Sequence, residues 1–190
     1  MRVSNIDHVT EAGGTTPPAS VKVWDPVVRL FHWSLVSLFA IAWITAEEWD
    51  KVHEYSGYAI IGLIAIRLVW GVVGTRYARF SNFVYRPSVV IAYLKDVIFL
   101  RARRYIGHNP AGGAMVVVLL LSVSIAVGTG VLSITDRFSG VKWIGELHEA
   151  TSYLALVLVF LHVLGVGLAS FQHHENLVRS MLTGLKRKDE

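Results

Sequence analysis

Four apolar stretches, at 27–46, 55–73, 114–134 and 144–170, interrupt an otherwise polar chain. Each reaches the length of about 20 mostly apolar residues that a helix needs to cross a bilayer. With 53% apolar and only 17% charged residues, the chain reads as a membrane protein and not as a soluble core. Its 190 residues leave room for one domain. The expected fold is all-α: an integral membrane four-helix bundle over 23–175, a flexible tail at 1–22 and a basic tail at 176–190. Cysteine is absent, which removes disulfides, thiolate metal sites and covalent haem attachment through C-x-x-C-H.

Charge between the stretches predicts the orientation. The first link, "EEWDK", is acidic and the third, "TDRFSGVKWIGE", is balanced. The second carries Arg76, Arg79, Arg86, Lys95, Arg101, Arg103 and Arg104, and the C-terminal tail adds Arg179, Lys186, Arg187 and Lys188. The positive-inside rule then places both termini and the second link in the cytoplasm. Basic clusters of this kind meet anionic lipid, so the net charge of +4 is a topology signal and nucleic acid is not an expected partner. Within the second link, "PSVVIAYLKDVIFLRARR" has the spacing of a helix lying in the interface, too short and charged to span. Trp43, Trp49 and Trp143 on one side, and Trp24, Trp33 and Trp70 on the other, fit interfacial belts.

Histidine is costly within a span and usually faces the bundle interior. His148 and His162 lie fourteen residues apart on the fourth stretch. At 1.5 Å and 100° per residue they share a face at two depths about 21 Å apart. His32 enters the first span from the cytoplasm and matches His162 in depth. His53 opens the second from outside and matches His148. Two imidazole pairs result, one per leaflet.

Imidazole suits iron, zinc and copper alike. Zinc or a di-iron centre takes carboxylates or more protein ligands, and no Asp or Glu lies mid-span. "HEATS" and "HEYSG" lack the second His of a zinc-protease motif. Two non-covalent haems b, each with two axial histidines, fit better. An interfacial histidine is the plain alternative for any one of the four taken singly. His8 in the N-terminal tail is not assigned as a ligand, and His173 and His174 are expected among lipid head groups.

The stretches "WDPVVRLFHW", "HEYSGY", "RLVWG", "GHNPAGG", "LHE", "LHVLGV" and "ENLVRSMLTGLKR" resemble the bacterial cytochrome b561 group and the related b-type cytochrome subunits of nickel–iron hydrogenases. The likeness runs from about residue 24 to 188. It implies His32 with His162 on one haem and His53 with His148 on the other, in a multi-pass protein of the bacterial inner membrane. It further implies electron transfer between ubiquinone or menaquinone and a redox protein such as a c-type cytochrome or hydrogenase. A homodimer is allowed. One branch of the group instead oxidises superoxide and reduces ubiquinone. That reading wants an external basic funnel, against which "EEWDK" argues and for which Lys51 and Lys142 remain. A haem-free membrane anchor or transporter, using the histidines as proton carriers, is the third reading.

Arg67 follows His53 by fourteen residues and so returns to the same face at the level of His32. Arg29 precedes His32 by three residues and shares its face. Either guanidinium suits a haem propionate, with Arg67 also placed for quinone and snorkelling to lipid phosphate as the plain alternative for both. His108, ahead of the third span, is a candidate partner for a quinone carbonyl or propionate, against the plainer reading of a surface turn. Gly57, Gly62, Gly128 and Gly130 are expected to serve close helix packing.

Overall fold

The computed structural model describes residues 20–188; His8 and most of the expected N-terminal tail lie outside them. Four long helices carry the fold: α1 (Pro26–Thr45), α2 (Asp50–Val73), α4 (Pro110–Ser133) and α5 (Lys142–Gln172), with the shorter α3 (Pro87–Ile98) between α2 and α4 and α6 (Leu177–Thr183) after α5. All four long helices are long and apolar enough to span a membrane. Their starts follow from local chemistry. Asp25 accepts the Val28 amide at 3.0 Å and Pro26 opens α1; Asn109 accepts the Gly112 amide at 2.7 Å and Pro110 opens α4.

α1 packs on α2, α2 on α4, and α4 on α5. The centre of the bundle is Ile60 and Ile64 from α2, Val123 from α4 and Ala155 from α5, with Leu35, Leu38 and Phe39 of α1 against them. The outer faces stay apolar: Leu30, Ile44, Val72 and Phe171 are each more than 70% exposed. A surface of this kind is stable against lipid and not against water. Several hydroxyls inside the spans are satisfied within their own helices. Thr45, Ser56, Ser124 and Ser152 each donate to the carbonyl four residues earlier, at 2.6–2.8 Å. The chain is a multi-pass membrane protein.

Several boundaries differ from the sequence reading. α2 starts at Asp50, five residues before the apolar stretch, because helix continues through the charged "DKVHE"; His53 therefore sits inside its first turn. The helix at 87 ends at Ile98 and does not run on to 104, since Leu100 takes a left-handed φ of 56° that breaks the repeat. Both expected tails hold ordered structure. Ser20–Lys22 (β1) pairs antiparallel with Leu185–Arg187 (β2). Gly184, at φ 84°, turns α6 into that strand, and its carbonyl accepts the amides of Val23 and Trp24 at 2.8 and 3.2 Å. Of the two tryptophan groups, Trp49 and Trp143 are exposed, whereas Trp70 bonds Asp25 and the indole nitrogen of Trp33 is buried.

Candidate functional site

α1 and α5 have no extensive backbone contact; side chains span the space between them. One bridge is His32 of α1 with His162 of α5, ring centroids 6.4 Å apart and planes tilted by 56°. A second pair, His53 of α2 with His148 of α5, stands at 6.0 Å with planes at 89°. The structure thus brings together both pairs expected from helical depth. Two imidazoles that share one metal, each at a bond of about 2.0 Å with its ring centre about 1.1 Å farther back, have centroids about 6 Å apart. Both pairs fit that measure.

The protonation pattern fits as well. His53 Nδ1 lies 2.8 Å from the Ala42 carbonyl oxygen, and His148 Nδ1 lies 2.8 Å from that of Ala126. A carbonyl only accepts, so in each ring Nδ1 is the donor and Nε2 is the nitrogen left to bind a metal, the arrangement second-shell partners impose on metal-binding histidines. His32 Nδ1 is buried with no protein partner. Each donor set is two imidazoles and no carboxylate, and among the described residues no group of three or more His, Cys, Asp or Glu is gathered. This suits a metal whose remaining positions come from a macrocycle.

Glycines shape the space. A Cβ on Gly130 would come within 3.0 Å of the His148 ring, while one on Gly57, Gly62 or Gly128 would meet nothing within 4 Å. Those three therefore do not sit at tight helix crossings as expected. Gly57 is one turn after His53 and leaves its face open, a signal the sequence already held in the i, i+4 spacing.

Around the His32 pair the surroundings are cationic and aromatic. Arg67 is buried to 3% exposure with Nη1 unpartnered; its guanidinium carbon lies 4.7 Å from the Phe80 ring centre, 5.9 Å from Phe83 and 6.0 Å from Phe31. Arg29 donates to the Leu182 carbonyl and keeps a buried, unpartnered Nε. His108 is no open-turn residue: it is half-buried between Trp24 and Phe83, at 4.7 and 4.4 Å. Burial, then the positive charges of Arg67 and Lys186, push its pKa down to about 3, so the ring is neutral. It borders a cavity of about 150 Å³ with Arg76, Tyr77, Tyr85 and Tyr105 on its walls.

Sequence reasoning missed Asp25, Phe80 and Phe83. Asp25 is buried and accepts from Val28, Trp70 (3.1 Å) and Thr75 (2.6 Å). Its place directly before Pro26 was a readable cap signal. Phe80 and Phe83 had no such signal, because they meet Arg67 only through the turn after α2.

A sequence model of the family described as prokaryotic cytochrome b561 matches residues 23–184. No curated protein and no solved structure matches the chain. With nearly its whole described length inside that match, and four spans in place, the chain belongs to the prokaryotic cytochrome b561 family, membrane proteins that move electrons by way of b-type haem.

Proposed function

We propose that this chain carries electrons across the bilayer through two b-type haems, one held by His32 and His162 and the other by His53 and His148, linking membrane quinone to a partner redox protein. The observation behind this reading is that two imidazole pairs of matching separation, 6.4 and 6.0 Å, share one helix. Haem b, when bound, would supply reversible one-electron chemistry, and His32, His162, His53 and His148 are the residues that would hold it.

The chain's own part is orientation, exclusion of water and charge. His148 and His162 stand at depths about 21 Å apart along α5. The carbonyls of Ala42 and Ala126 hold His53 and His148 in the ligating tautomer. Arg67 and Arg29 are the donors for propionate carboxylates at the other pair. The cavity beside His108, with Tyr85 and Tyr105 as further donors, suits a quinone head group. By the positive-inside rule, the basic second link and both termini face the cytoplasm of a bacterial inner membrane. α3, with Val89, Ile91, Leu94 and Ile98 exposed, rests in that interface.

The test is an optical spectrum of the protein purified from membranes with ample haem supply, followed by addition of a quinol. Two b-type haems per chain, both reduced by quinol, are expected. A colourless protein, or one with a single haem, overturns the reading.

A further inference from the structure

The two histidine pairs sit in unlike electrostatic surroundings. Among the described residues the buried cations are Arg67 and Lys186. Lys186 is paired with Glu175 at 3.4 Å, whereas among the described residues no carboxylate forms an ion pair with Arg67. Arg67 is held by the rings of Phe31, Phe80 and Phe83, the first of which directly precedes His32. Phe80 is itself pinned against α2, since any side chain at Gly71 would run into its ring. The nearby carboxylate, Asp25, is turned to Val28, Trp70 and Thr75. Phe31 and His32 are consecutive on α1, so a guanidinium 6.0 Å from the Phe31 ring stands at the depth of this pair. At the other pair the neighbouring charges are Glu54 and Glu149, adjacent in sequence to the ligands, and Lys51 is exposed to water.

Ferric haem carries one more positive charge than ferrous haem, so a fixed cation nearby favours the reduced form. A buried cation acts through a low effective dielectric, while exposed charges are screened within about 10 Å at 0.1 M salt. We infer that Arg67 sets the order of the two potentials, making the iron between His32 and His162 the more readily reduced. One electron then passes from the iron between His53 and His148, which goes from ferrous to ferric, to the iron between His32 and His162, which goes from ferric to ferrous. No bond or proton changes. This rests on the dihaem reading.

Optical redox titration of the purified holoprotein tests it. Wild type should titrate in two components, with His148→Ala retaining the upper one. Arg67→Gln should lower the upper component by at least tenfold in its reduction equilibrium, about 59 mV for one electron, and leave the lower one in place. Arg67→Lys, which keeps the charge, should restore most of the shift. Asp25→Asn keeps the helix cap and removes the opposing charge, so it should raise the upper component; it decides the matter if Arg67→Gln loses its haem. An unmoved upper component, an equal fall in both, or a lower component surviving in His148→Ala overturns the inference. Fewer than two haems in wild type overturns instead the reading beneath it.

Discussion

His148 Nδ1 lies 2.8 Å from the carbonyl oxygen of Ala126, so α4 orients a ring that α5 carries. His53 repeats the relation with Ala42 of α1. The two ring centroids lie 6.0 Å apart, and the pair is expected to function as a unit. Alanine at either His53 or His148 is therefore expected to remove one and the same haem. Alanine at His32 or His162 should remove the other. Haem stoichiometry and low-temperature spectra of the four variants check this; a His53 variant matching a His32 variant would break the pairing.

Gly130 faces that same ring. A methyl group there would stand 3.0 Å from Cε1 and 3.1 Å from Nδ1 of His148, tighter than ordinary van der Waals contact. The ring must give by a few tenths of an ångström, which strains its bond to Ala126. Gly130→Ala is expected to weaken haem retention at the His53–His148 pair several-fold, and Gly130→Val to abolish it, with the other haem unaffected. Gly128→Ala, where a Cβ meets nothing, is the control. Equal haem content in all three variants would show that the ring has room to spare.

The spans and the histidine pairing were legible because both are local. Apolar length and helical phase follow from consecutive residues, and depth follows from phase. What escaped depends on residues far apart in the chain. Ser20–Lys22 finds Leu185–Arg187 from the far end of the sequence, and neither segment alternates strongly enough to announce a strand. His108 read as a turn residue because Trp24 and Phe83, which cover it, come from two other parts of the chain. Arg67 was found by phase, but its aromatic enclosure was not. The early start of α2 escaped for another reason: charged residues end an apolar stretch without ending a helix.

Asp25 joins the start of α1 to the end of α2. Its carboxylate caps α1 through Val28 and accepts from Trp70 and Thr75. Burial alone would raise its pKa, but the bonds from Thr75, Val28 and Trp70 outweigh burial and leave it lowered. Asp25→Ala removes the cap and leaves the Trp70 and Thr75 donors without their acceptor, at a cost of about 1–3 kcal/mol. Asp25→Asn keeps the cap and should cost less. Thermal unfolding in detergent orders the variants as wild type, Asn, Ala; a stable Ala variant would mean that water replaces the carboxylate at no cost.

Glu175 ties the last turn of the bundle to the strand pair. Its carboxylate meets Arg104 at 3.0 Å and Lys186 at 3.4 Å, and accepts the Arg187 amide at 3.1 Å, with all three charged side chains at 13% exposure or less. Burial pushes the carboxyl up, but the Arg104 hydrogen bond, the Lys186 charge and the Arg187 amide together bring it below its ordinary value of 4.5. The partners show opposite balances, since burial lowers the Lys186 pKa despite Glu175; Glu175 has three donors, and among the described residues Lys186 meets this carboxylate and the Tyr105 carbonyl. The stabilising part therefore resides in the ionised carboxylate. It is fully present above about pH 4.5 and is lost as pH falls through the lowered value. Glu175→Gln takes the carboxylate away from the buried Lys186 and is expected to cost about 3 kcal/mol at pH 7. The gap between wild type and variant should close on acidification, as wild-type Glu175 takes up its proton. Lys186→Met, which removes a buried charge and leaves Arg104 on Glu175, should cost much less. Unfolding transitions in detergent across pH 3–7 separate these cases, and a Glu175→Gln protein as stable as wild type at pH 7 would show that desolvation cancels the whole cluster.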